Sequence, residues 1–299
     1  MILQNKQKEK AKELSDHTYN KEPGNFSEIT PNHLKDHTYC KTSDNYVTID
    51  QQYADDIGWA STGIHILENI ERKIPDILQS RNLHINRSKT EKYTISNKTE
   101  NQEWRKCKYV GSLLGTEEDL QRRQKLTNTA YCSLKPIFRS KRISEEVKLR
   151  IFCALLQSIY LYNCEVWGLT TAQENKIDIY QRRLLRNILN IRWRNNNWMS
   201  NKDLYKRTGQ IEWSKTIEHR RVRFLGHVAR LDDNAPAKKA LYEALRPCKK
   251  LRGRPKTTLL GTIDKNLKQR NIPNIHEAIN EAQDRERWRG LTCLSMSQQ

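Results

Sequence analysis

The 299-residue sequence predicts an α+β fold in which a short strand-rich region precedes a long all-helical one. Two observations carry that expectation. β-branched and aromatic runs cluster between Tyr46 and Leu114. From Thr116 onward, capping residues recur ahead of apolar positions at helical spacing. The charge is also split, because residues 151–299 hold 28 of the 54 Lys and Arg but 14 of the 35 Asp and Glu, a net of +14 within a total of +19.

Residues 1–45 are polar, weakly periodic and broken by Pro23-Gly24 and Pro31, so they predict a poorly ordered segment, helical at most in part. Residues 46–115 hold the strands. Tyr46-Val47-Thr48-Ile49-Asp50 alternates, and Ile57-Gly58-Trp59-Ala60 follows after Tyr53-Ala54-Asp55-Asp56. Strand, acidic turn and strand make a hairpin with carboxylates at its tip. A helix then starts at Ser61-Thr62-Gly63, with Ile66, Ile70, Ile74, Ile77 and Leu78 on one stripe and Pro75 set to kink or shorten it. Leu83–Asn86 and Tyr93–Ile95 predict short strands, and Lys108–Leu114 a second hairpin.

In residues 116–170, Thr116 with Asp119 caps a helix expected to stop at Pro136, and Ser144 caps one through Tyr162. In residues 171–299, Thr171 with Glu174 opens a helix to about Ile191, and Ser200 with Asp203 opens one ending at Gly209. Four more are expected at 213–230, 235–246, 258–270 and 275–289.

The longest apolar stretch, Ile151–Cys164, carries Gln157, Ser158 and Asn163 and is too short to span a bilayer. The first residues lack the apolar core of a signal peptide, and seven cysteines without a CxxC pair fit a reducing compartment. A nuclear or cytoplasmic protein with a polyanionic partner, and no membrane, is the expectation.

Adjacent carboxylates in a turn are ordinary turn chemistry, but they are also hard ligands suited to Mg²⁺ or Mn²⁺. Their surroundings decide between these readings. Tyr53-Ala54-Asp55-Asp56 resembles the Tyr-x-Asp-Asp hairpin of reverse transcriptases. Asn86-Arg87-Ser88-Lys89-Thr90-Glu91 resembles the following palm motif, and Tyr109-Val110-Gly111-Ser112 the primer-grip hairpin. Further on, Leu161–Trp167, Gln181–Arg186, Arg221–Val228 and Gly253-Arg254-Pro255 are similar to segments of LINE-like non-LTR retrotransposon polymerases, in the same order.

That resemblance implies the end of a palm, a thumb over residues 116–170 and a basic C-terminal region over 171–299 of an RNA-directed DNA polymerase. Asp55 and Asp56 would hold Mg²⁺ or Mn²⁺, Lys89 would stabilise the leaving pyrophosphate, and Tyr109 and Gly111 would form the primer grip. RNA template and DNA primer or target DNA are the implied partners. The family also needs a third Asp on an upstream strand, and none of Asp16, Asp36, Asp44 or Asp50 sits in such a context. The expectation is therefore a truncated enzyme that binds nucleic acid without polymerising alone, or else a non-catalytic RNA- or DNA-binding protein derived from a retroelement.

The nucleic-acid contacts are expected from Arg182, Arg183, Arg186, Arg220, Arg221 and Arg223, and from Arg252, Arg254 and Lys256 in the Arg-Gly-Arg-Pro-Lys stretch. That stretch resembles an AT-hook core, although a Gly-Pro loop before a helix fits the same residues. His33, His37 and Cys40 have the spacing of one helical face but lack an obvious fourth ligand, which argues against zinc.

Overall fold

The computed structural model describes residues 2–4, 40–41, 47–53, 56–95, 102–192, 198–246 and 257–293. They belong to two compact units, Met1–Gly115 with Asn234–Pro236, and Thr116–Asp233 with Ala237–Gln299. Strands fall in the first unit and most helices in the second, an α+β chain that is mostly helical.

The first unit is built on a four-stranded antiparallel sheet, ordered β1-β4-β3-β2, from β1 (Ile2–Gln4), β2 (Cys40–Lys41), β3 (Val47–Tyr53) and β4 (Asp56–Ser61). β3 and β4 pair from Thr48↔Ser61 to Tyr53↔Asp56. Two strands thus arise within residues 1–45, where composition predicts none. They are edge strands of two and three residues, recruited by the backbone groups that β3 and β4 leave open rather than by any pattern of their own.

Helix α1 (Ile64–Gln79) packs on the sheet through buried Trp59 and Ile74, flanked by Leu67, Ile70, Leu78 and Ile85. Pro75 lies inside it without ending it, because Ile74 and Leu78 anchor the last turn on either side. Leu83–Asn86 and Tyr93–Ile95 are not strands. Asn86 instead turns the chain: its carbonyl accepts from the Lys89 amide and the Thr90 hydroxyl, and its side chain accepts from Ser88, giving a 3₁₀ turn over Arg87–Lys89. β5 (Lys108–Tyr109) and β6 (Ser112–Leu113) form the second hairpin. Val110 and Gly111 both have positive φ, 43° and 78°, as a two-residue type I′ turn requires.

In the second unit α2 (Thr116–Arg139) starts on three acidic residues that suit its N-terminal dipole. It continues past Pro136, since buried Phe138 holds its final turn and the Pro136 carbonyl accepts from Ser140. The next helix begins as α3 (Glu145–Ile151), capped by Ser144, widens to π geometry over Phe152–Gln157 and closes as α4 (Ser158–Tyr160). α5 (Thr171–Ile188) is capped one residue earlier than expected, by Thr170 with Gln173. Gln173 completes that box while its amide donates to Glu117 on α2, a second bond that Glu174 does not make. The helix ends before Ile191 because Asn190 takes a left-handed conformation.

Helix α6 (Asn201–Thr208) is capped by Ser200 and stopped by Gly209 at φ 60°. Then come α7 (Trp213–Ala229), α8 (Pro236–Leu245) and α9 (Leu259–Lys268). The single helix expected at 275–289 is two, α10 (Ile275–Glu281) and α11 (Arg285–Thr292). Asp284 breaks it by accepting from the amides of Glu286 and Arg287, which caps a new start.

Two cores hold these helices. The first runs across residues 170–171 and centres on Tyr160, which stacks on Trp213 at 4.7 Å and Tyr180 at 5.1 Å. Fully buried Gln181 ties it together: its amide donates to the Ile211 carbonyl, and its oxygen accepts from the Trp213 amide and the Tyr205 hydroxyl. The second core joins α7 and α9–α11 through Val222, Leu225, Leu267, Ile279 and Trp288.

Candidate nucleic-acid interface

The paired strands bring Tyr53 opposite Asp56, and β1 pairs with β4 at Gln4↔Asp56. β1 also borders the 3₁₀ turn that carries Lys89, so one short strand adjoins both Asp56 and the Lys89 turn. Ala54 and Asp55 lie outside the described residues. Tyr109 and Gly111 sit in the β5–β6 hairpin, Gly111 where the turn demands positive φ. Val110 beside it is a β-branched residue in the left-handed region, a conformation that costs roughly 1–2 kcal/mol for an L-residue.

Two adjacent carboxylates suit Mg²⁺ by their chemistry, yet a two-ion centre needs further oxygen ligands from another element. Among the described residues no three His, Cys, Asp or Glu side chains are grouped to hold a metal ion. His33 and His37 lie outside the described residues, as do Arg252, Arg254 and Lys256.

The arginines of the helical unit separate into distinct environments. Arg183 is exposed on α5, and Arg182, half-buried, lies against the Tyr205 hydroxyl. Arg186 stacks on exposed Trp198, 4.5 Å from the ring centroid, and donates to Asn201 Oδ1 at 2.7 Å. Burial, with Arg182 nearby, pulls its guanidinium below the usual arginine range. A guanidinium held over an indole is a surface that an unpaired base can extend.

Arg221 departs from expectation. It is 1% exposed, and its two terminal nitrogens donate to Asn266 Oδ1 at 2.8 Å and to the Trp167 carbonyl at 3.0 Å. It joins α7 to α9 and to the Leu161–Trp167 segment and does not face solvent. Trp167 in turn donates to buried Asp119 on α2. Much of the sequence singled out between Leu161 and Val228 therefore builds the core on which the exposed arginines stand.

Arg220 and Arg223 remain toward the surface of α7 and line a cleft of about 430 Å³ that Arg285 and Arg289 of α11 also line. Those last two are absent from the sequence-based expectation. Their signal was the spacing of Arg285, Trp288 and Arg289, which places one apolar and two basic side chains on a single helix face.

No family model, curated protein or solved structure matches the chain. Among the described residues no helix is long and apolar enough to cross a membrane.

Proposed function

We propose that the chain is the end-of-palm, thumb and C-terminal region of a reverse transcriptase of the non-LTR retrotransposon type, which binds RNA template and DNA primer or target through its basic helical unit. The observation that carries the reading is the order of motifs: Tyr53–Asp56 joining paired strands, the Lys89 turn, the Tyr109–Ser112 hairpin, then helices bearing exposed arginines. Val110 supports it, since a strained residue at a hairpin tip is a common mark of a contact surface. Asp55 and Asp56 are the proposed Mg²⁺ or Mn²⁺ ligands and Lys89 the cation at the leaving group. With no second Asp-bearing motif in these residues, the proposed activity of this chain is binding without nucleotide addition.

Primer extension and binding on the same preparation test this. Binding to RNA or single-stranded DNA should weaken linearly in log salt, with no incorporation in Mg²⁺ or Mn²⁺. Incorporation abolished by Asp55→Asn would overturn the binding-only claim. Failure to bind any nucleic acid at low salt would overturn the whole reading.

A further inference from the structure

The cleft between α7 and α11 gathers five guanidinium groups, Arg220, Arg223, Arg230, Arg285 and Arg289, against one carboxylate, Glu165. Helical spacing explains the gathering. Arg220, Arg223 and His227, with Arg230 at the C-cap, recur along one face of α7, and Arg285 and Arg289 along one face of α11. The helices are held together by an unusual contact: Gly226 lies against the Trp288 indole so closely that a Cβ would overlap its ring.

Part of this charge is engaged within the fold. Arg220 donates to the Leu161 carbonyl at 3.1 Å and lies 4.0 Å from Glu165. Arg230 donates to the Ala282 carbonyl at 2.7 Å. Burial, then the positive charge of Arg285, holds Arg230 below its usual range. Arg223, Arg285 and Arg289 are exposed and, among the described residues, have no hydrogen-bond or salt-bridge partner. Five like charges converging on a single carboxylate repel one another, and an anionic ligand would relieve that repulsion.

Resting on the nucleic-acid reading above, we infer that this cleft holds the phosphates of a single-stranded nucleic acid, with a base against Phe224. The volume lies within the ~300–1,000 Å³ typical of small-ligand sites, room for a nucleotide segment but not a duplex. Guanidinium forks match phosphate oxygens in pairs. Phe224, 38% exposed beside His227, offers the apolar face on which an unpaired base can stack. An acidic peptide would use the same charges but has no need of that face.

Anisotropy with labelled 12-nucleotide RNA and DNA single strands and a matching duplex tests the assignment, using wild type, R223Q/R289Q and a control, K202Q/K206Q, that removes equal charge from exposed positions of α6. The cleft variant should bind single strands at least tenfold more weakly, with a salt slope lower by about two, while the control stays within twofold of wild type. Equal binding by R223Q/R289Q and wild type would overturn the cleft assignment and leave the nucleic-acid reading standing. No binding by wild type would overturn both. Displacement of the single strand by inorganic triphosphate or polyglutamate at matched charge concentration would also overturn it, in favour of a free-phosphate or acidic-peptide site. Circular dichroism of each variant keeps misfolding from passing as lost affinity.

Discussion

Arg221 shows how one side chain can be misassigned by its neighbours. In sequence it sits in an arginine-rich run, flanked by Arg220 and Arg223. In the fold its bonds reach Asn266 and Trp167, 45 and 54 residues away. Nothing within a helical window marks that burial, because the partners come from other elements. Replacing it leaves a buried amide oxygen and a carbonyl without a donor, at roughly 1–3 kcal/mol each. Arg221→Gln should therefore lower the urea midpoint, while the salt dependence of nucleic-acid binding stays as in wild type. A reduced salt slope at unchanged stability would return Arg221 to the interface. Local chemistry was legible where both partners lie within a few residues, as in the Ser200 cap and the Gly209 stop of α6. It misled where a residue had a second, distant partner, as in the shift of the α5 cap to Thr170 and Gln173.

Between elements, the pairing of α7 with α11 turns on the absence of a side chain. Gly226 in mid-helix carries a backbone penalty of about 1 kcal/mol relative to Ala. Here that preference is outweighed, since the rigid indole of Trp288, 2% exposed, occupies the space of a Cβ. Gly226→Ala should destabilise by about 1–3 kcal/mol despite its gain in helix propensity, measured by chemical denaturation. Stabilisation instead would mean the two helices do not meet in this way. The helices themselves were largely readable from caps and periodicity. The strands were less so: β1 and β2 are short edge pairings without a pattern, and residues 83–86 lost a predicted strand to the hydrogen bonds of Asn86. The Asp284 cap that divides α10 from α11 was present in the sequence but hidden within an apolar pattern continuous on both sides.

At the scale of the whole chain the net charge is +19, yet several ionisable groups of the described interior hold their protons well above their ordinary range. Burial pushes the Cys164 thiol up from 9.0 to about 12, with Glu165 adding to it. It likewise raises Cys107 to about 11 and the Tyr205 hydroxyl to about 12. Each group keeps its proton in the folded state to a higher pH than in the unfolded chain. Their contribution is fully present below the unfolded values, near pH 9 for the thiols, and is lost as pH rises toward 12. Urea midpoints should fall between pH 8 and pH 10.5, and an unchanged midpoint would contradict these burials. Exposed Cys132 should also be alkylated at neutral pH well before Cys164.

The π-helical stretch Phe152–Gln157 has a consequence for how the chain tolerates change in length. A π segment is an α-helix that has absorbed an extra residue, and the flanking turns keep their phase by widening around it. Phe152, Leu156 and Tyr160 all face the core, whereas Ala154 and Leu155 point outward. Removing one outward residue, as in a deletion of Leu155, should return the stretch to regular pitch, and its urea midpoint should fall less than that of a one-residue deletion within α5. The chain thus carries, at this one point, a spare residue whose loss the helix is built to absorb.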